Sequence, residues 1–100
     1  MASLSKMIRL SVLYPTTEGA DFDFAYYVDT HIPLALRTWN LSSAEIDRGI
    51  DGPYLCAAHF LFGSLAELGE AVSAEGNDEL NADVANLTTI TPIAQISEIL

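Results

Sequence analysis

Apolar and polar residues alternate from Met7 to Tyr14, with Ile8, Leu10, Val12 and Tyr14 on one side and Met7, Arg9, Ser11 and Leu13 on the other. That period of two predicts a β-strand, and Pro15-Thr16-Thr17-Glu18-Gly19 ends it with turn chemistry. The period then changes. From about Asp21 a helix is predicted in which Phe24, Tyr27, Val28, His31 and Leu34 fall on one stripe, with Tyr27 and His31 one turn apart. Pro33 lacks an amide hydrogen and restricts Ile32, so the helix is expected to break or kink after His31. It should restart with Pro33 in its first turn and run to about Trp39.

Leu41 to Ile50 predicts a second strand, with Ala44, Ile46, Arg48 and Ile50 on one face and Glu45, Asp47 and Gly49 on the other; its polar content marks a sheet edge. Asp51-Gly52-Pro53 makes the turn into a third strand, Tyr54 to Phe62, which is apolar on both faces. Ser64-Leu65-Ala66-Glu67 is a capping box that opens a helix to about Ala74, with Leu65, Leu68 and Val72 turned inward. Asn77 or Asp78 should cap a further short helix carrying Leu80 and Val84, and Thr91 to Leu100 should form the last strand.

The order βαββαβ predicts an α+β, ferredoxin-like domain over residues 7–100, with a four-stranded antiparallel sheet and both helices on one face. Residues 1–6 read as a disordered or extended leader. A third strand that is apolar on both sides leaves the far sheet face in need of cover, which a second copy of a 100-residue chain would supply. A homodimer is therefore expected.

Composition narrows the partners. Four basic residues against fourteen acidic ones give a net charge of −10, and Lys6, Arg9, Arg37 and Arg48 are scattered along the chain. Such a chain repels phosphate backbones and anionic lipid, so neither a nucleic acid nor a membrane surface is an expected partner. No run approaches the roughly 20 apolar residues needed to span a bilayer, and the N-terminal segment lacks the features of a signal peptide. The single cysteine, Cys56, sits in an apolar strand, which fits a buried thiol and a cytoplasmic location.

His31 is the candidate for proton transfer, since imidazole gives and takes protons near neutrality; the alternative is a structural histidine that satisfies backbone carbonyls at the Pro33 break. Asp29, two positions away on a regular helix, cannot orient it. Tyr27 could donate its hydroxyl to a substrate carbonyl, or simply fill the core. Tyr14, at the end of the first strand, and Phe24 are further candidates for a substrate-binding wall, whereas Tyr26 is expected to point away. His59 reads as structural, and its phase relative to Arg9 is open. Two histidines 28 positions apart and one cysteine give no metal-ligand spacing. No phosphate-binding glycine loop is present and nothing signals flavin or haem, so no cofactor is expected.

The strand ending in Leu13-Tyr14-Pro15, the set Phe24, Tyr26, Tyr27, His31 and Pro33, and the late Ala82-Asp83-Val84-Ala85-Asn86-Leu87-Thr88 before a closing Gln95-Ile96-Ser97-Glu98 strand resemble the ethyl tert-butyl ether degradation (EthD) family from Met7 to Leu100. The resemblance implies a dimeric α+β barrel, in a grouping that also holds cofactor-free monooxygenases and small-ring isomerases. Bacterial members accompany an oxygenase system for ether breakdown without an assigned reaction of their own, and some fungal relatives are thought to be dehydratases. The expectation is a small dimeric protein that holds a hydrophobic, carbonyl- or ring-bearing molecule with His31 and Tyr27 at its polar end. If it is an enzyme, it would be a cofactor-independent isomerase, dehydratase or monooxygenase; the alternative is a non-enzymatic accessory of an oxygenase pathway.

Overall fold

A computed structural model describes residues 7–100, so the leader expected at residues 1–6 lies outside the described residues. Four strands, β1 (Ile8–Pro15), β2 (Glu45–Arg48), β3 (Tyr54–Phe62) and β4 (Ile93–Glu98), form one sheet in the order β2-β3-β1-β4 with every neighbouring pair antiparallel. This is the α+β, ferredoxin-like arrangement that the alternation predicted, with β2 on an edge.

Register follows the hydrophobic pattern. Leu10 lies opposite Phe60, Val12 opposite Ala58 and Tyr14 opposite Cys56, which puts Ile8, Leu10, Val12, Tyr14, Phe60 and Phe62 on the helix-covered face. Arg9, Ser11 and Leu13 share the opposite face with Leu61, His59 and Ala57, so Arg9 and His59 lie on one side of the sheet and away from the core. His59 Nδ1 and Ser11 Oγ share a hydrogen bond of 2.8 Å, and His59 Nε2 stands 3.4 Å from Asp47 Oδ2. Among the described residues nothing covers this face, and Leu61 and Ile93 stay roughly half exposed.

The predicted strand over 41–50 shrinks to Glu45–Arg48 because its two ends do other work. Asn40 takes a left-handed conformation (φ 56°), and the Leu41 amide returns to the carbonyl of Leu36 at 2.9 Å, closing the preceding helix. At the far end Gly49 N–H donates to the Leu55 carbonyl at 2.8 Å, and a Cβ at Gly49 would run into the carbonyl of Tyr54. Only glycine lets the two backbones approach so closely.

Helix α1 (Phe24–Tyr26) starts three residues later than expected, since the Asp23 carboxylate accepts from the Tyr26 amide at 3.0 Å and fixes the first turn there. The helix does not end after His31; its regular α geometry is interrupted there and resumes with Pro33 in the first turn and Trp39 at the end, as expected. Residues Tyr27–His31 form a π-helical turn, in which the Ile32 amide donates to the Tyr27 carbonyl, and α2 (Ile32–Trp39) follows directly. Pro33 explains this: its ring would clash with the carbonyl four residues back, and one wider turn relieves the clash without ending the helix. The extra residue rotates the buried stripe. Tyr27, His31, Ile32 and Ala35 face inward, while Val28, placed on the stripe by regular helical spacing, is exposed.

Helix α3 (Leu65–Ser73) is capped by Ser64 Oγ, which accepts from the Glu67 amide, and the Glu67 carboxylate accepts from Gly63 N–H. It buries Leu68 and half-buries Ala71, but Leu65 and Val72 are exposed, contrary to expectation. The helix is rolled so that the Leu68/Ala71 edge meets the core and the other two lie on its flank. Helix α4 (Asn77–Asp83) follows Gly76 at φ 97°, and Asn77 does not cap it. Its amide group instead donates to the Ala71 and Ala74 carbonyls at 2.8 Å each, while its oxygen accepts from Trp39 Nε1 at 2.8 Å, so one side chain ties together the ends of three helices.

A 3₁₀ turn (Val84–Asn86) continues α4, and the chain then pins the entrance of α1. Asp23 N–H donates to the Leu87 carbonyl, Phe22 bridges to Thr88, and Thr88 Oγ1 donates to the Asp21 carbonyl at 2.7 Å. This fixes the distance between the helix that bears His31 and the segment that follows α4. Among the described residues no helix is long and apolar enough to cross a membrane.

Candidate functional site

Between the helices and the sheet lies a cavity of about 70 Å³ whose walls include Val12, Ile32, Ala35, Phe60 and Leu80, together with Tyr14, Tyr27, His31 and Asn81. A depression of about 590 Å³ adjoins it, sharing Asn81, Val84 and Pro92 and adding Thr88, Thr89 and Thr91. A groove of about 550 Å³ at the ends of α2 and α3 is walled in part by Thr38, Asn40, Glu67 and Glu70, but no imidazole, thiol or phenol faces it. The smaller cavity is the one lined by an imidazole and two phenols.

His31 is buried at 7% exposure, with its ring stacked on Tyr27 at 5.5 Å and 16° between planes. Its Nδ1 lies 2.9 Å from Oδ2 of Asp83, the last residue of α4. An ionised carboxylate only accepts hydrogen bonds, so Nδ1 carries a proton, and in the neutral imidazole the lone pair is then on Nε2. Among the described residues Nε2 has no hydrogen-bond partner, yet no buried side-chain nitrogen or oxygen is left unsatisfied, so this atom opens onto accessible space. Burial pushes the Asp83 carboxyl up, but hydrogen bonds from Tyr26, His31 and Asn86 outweigh this and hold it below the usual carboxylate range. It is therefore an anion throughout the neutral range.

Tyr27 is all but fully buried, its hydroxyl turned to the Cys56 thiol. Burial raises its pKa well above that of free tyrosine, with Cys56 and Tyr14 adding to the rise, and burial likewise raises Tyr14. Burial pushes the Cys56 thiol up to about 11 despite the bond from Tyr27, so it is not a nucleophile at neutral pH. Tyr14 packs edge-on to Tyr27, with centroids 5.7 Å apart. Phe24 is not in the cavity lining. It packs on Phe22 at 4.6 Å beneath the Arg48 guanidinium, 4.1 Å from its ring centroid, and supports Tyr27 only through Phe22.

The neutral tyrosines imply a pH limit. Groups whose folded pKa lies above the unfolded value near 10 contribute stability that is complete below about pH 10 and is lost as the pH climbs beyond it. Thermal melts should therefore hold level up to about pH 9 and fall steeply above pH 10, and Tyr27→Phe should flatten the decline. An unchanged slope in that variant would show that the phenol does not titrate on unfolding.

Of the candidates read from sequence, the structure joins His31, Tyr27 and Tyr14 around one cavity and leaves Phe24 behind them. Sequence reasoning missed Asp83, 52 positions from His31, and set Tyr26 aside as pointing away, whereas its hydroxyl donates to Asp83 Oδ1 at 2.6 Å. Asp83 and Asn86 did stand within the family-like segment 82–88, three residues apart on one helical face. Among the described residues no three His, Cys, Asp or Glu side chains are placed to hold a metal ion.

Fold and site together define a ferredoxin-like domain with an aspartate-held histidine in an apolar cavity. Comparison with protein-family models and with curated proteins found no match. Solved structures do match. An EthD-like protein from Ralstonia eutropha JMP134 is 32% identical, with 96% of this chain and 94% of that one covered at a TM-score of 0.86. The chain belongs to the EthD family. An ethyl tert-butyl ether degradation family protein from Bacillus halodurans C-125 superposes at a TM-score of 0.68 with 20% identity, covering 94% of this chain and 99% of that one. A protein from Thermobifida fusca YX, described as a dimeric ferredoxin-like protein of unknown function, superposes at 0.62 with 13% identity over 99% and 96% of the two chains.

Proposed function

We propose that this EthD-family protein binds a hydrophobic molecule carrying a carbonyl group and moves a proton on the carbon beside that carbonyl, with His31 Nε2 as the acid/base. The observation that carries this reading is the hydrogen bond from His31 Nδ1 to Asp83, which leaves Nε2 unpartnered on an imidazole that lines an apolar cavity. An imidazole whose Nδ1 proton is held by a carboxylate is competent, in its neutral form, to take a proton on Nε2 and return it elsewhere on the same face of the substrate. Tyr27 serves as the ring platform under His31, since its hydroxyl is already engaged, and Tyr14 walls the inner end. With one acid/base, isomerisation or loss of water across adjacent carbons is the chemistry best supported. A resonance-stabilised carbanion that met dioxygen would instead give a monooxygenation, with one oxygen atom kept and the other leaving as water.

The reading further includes a homodimer formed through the open sheet face, where Leu13, Ala57, Leu61 and Ile93 find no cover among the described residues. The description of the Thermobifida fusca protein as dimeric agrees with this.

A deuterium exchange assay tests the site whichever of these reactions it serves. Small cyclic ketones and enones that shift the melting temperature are incubated with the protein in D₂O, and loss of the protons next to the carbonyl is followed by NMR. Wild type should accelerate the loss, and His31→Gln should slow it about 10²- to 10⁴-fold while binding persists. Ligands that bind without any exchange in wild type would make the chain a carrier, the accessory role. Exchange that survives in His31→Gln would remove His31 as the base.

A further inference from the structure

Both oxygens of the Asp83 carboxylate are committed, and by different elements. Oδ1 accepts from the Tyr26 hydroxyl at 2.6 Å and from Asn86 Nδ2 at 2.9 Å, and Asn86 Nδ2 also reaches the Tyr26 oxygen at 3.4 Å. Oδ2 faces His31 Nδ1. A free carboxylate has two equivalent oxygens and turns about its terminal torsion, so an aspartate beside an imidazole does not by itself fix one arrangement. Two donors on Oδ1 remove that freedom and aim Oδ2 at the histidine.

The helix is built to allow it. On a regular α-helix, residues 26 and 31 lie about 140° apart and could not meet one carboxylate. The π turn at Tyr27–His31, closed by a bond between residues five apart, brings positions with that spacing towards one side. Tyr26 and His31 then converge on Asp83 from the helix, and Asn86 reaches it from the 3₁₀ turn.

We propose that Tyr26 and Asn86 are positioning residues that lock the Asp83 carboxylate and, through it, hold His31 in the single tautomer with the proton on Nδ1. The inference rests on the reading of His31 as the acid/base, yet its readout does not. Substituting Tyr26 changes no group that lines the cavity, so a purely structural clamp would alter stability and leave the imidazole tautomer alone.

The test is two-bond ¹⁵N–¹H correlation on ¹⁵N-histidine-labelled protein without ligand, at a pH where the imidazole is neutral. Wild type should show His31 with one pyrrole-type Nδ1 and one pyridine-type Nε2. Tyr26→Phe, which removes only the hydroxyl, should move both shifts towards an averaged mixture, and Asn86→Ala should do the same to a smaller degree. Ketone exchange in the two variants should slow about 10- to 100-fold, by analogy with the loss seen when the outer partner of a metal-ligating histidine is removed. Wild-type tautomer patterns in both variants would overturn the proposal, and Asn86→Ala decides the matter alone if Tyr26→Phe does not fold. A tautomer shift in the variants upholds the clamp even if the wild-type protein exchanges no ketone, in which case the acid/base reading falls and the positioning stands.

Discussion

Replacing Tyr27 by alanine is expected to cost about 3 to 5 kcal/mol, the range for removing a large aromatic ring from a packed core. The ring is about 1% exposed and touches Tyr14, Phe22 and His31 in edge-on and stacked geometry, so three neighbours lose their shared contact and the cavity enlarges around His31. Domains of this size have about 5 to 15 kcal/mol to lose, so the variant should be largely unfolded at moderate temperature. Tyr27→Phe should cost only about 1 kcal/mol, because the hydroxyl gives up one bond to a thiol while the packing persists. Urea unfolding of the three proteins measures both steps. A Tyr27→Ala midpoint near that of wild type would show that the aromatic cluster is peripheral to stability, and with it the platform assigned to His31.

Leu13→Glu should convert the proposed sheet-face dimer into a monomer. Leu13 lies on the central strand β1, on the open sheet face, with Ala57 and Ile93 as its cross-strand neighbours, so a carboxylate there finds no cation opposite it. In the isolated chain the side chain is only half-buried, and the substitution is tolerable. Against a second sheet it would bury an unpaired charge at a cost of about 3 kcal/mol or more, which weakens association at least 100-fold. Sedimentation velocity across micromolar concentrations reads the change, with far-UV dichroism to confirm the fold. Wild-type protein that sediments as a monomer would remove the sheet-face dimer altogether.

Local chemistry accounts for what was legible. Alternation fixed β1 and β3 to within a residue, because one slip would turn every apolar side chain of Ile8, Leu10, Val12 and Tyr14 to the wrong face. Ser64 and Glu67 marked the start of α3 because a cap is a contact between residues three apart, visible without any partner from elsewhere. The misses have a common cause. Leu41 left its expected strand to close α2, and Asn77 gave up capping α4 to bind Trp39 and the end of α3, since polar and apolar atoms were better satisfied by distant elements than by their own.

The sequence by itself determined the order of elements, the α+β class, the covered and uncovered sheet faces, and His31 and Tyr27 as neighbours on one helix. The tertiary structure alone decided that Pro33 widens the helix instead of breaking it, that Tyr26 turns towards His31's partner, and that Asp83 is that partner. The physical reason is range. Strand alternation and helix caps act over two to four residues and leave a periodic trace, whereas a carboxylate 52 positions from its imidazole is placed by the packing of α4 and the Leu87–Thr88 pins, which no periodicity records.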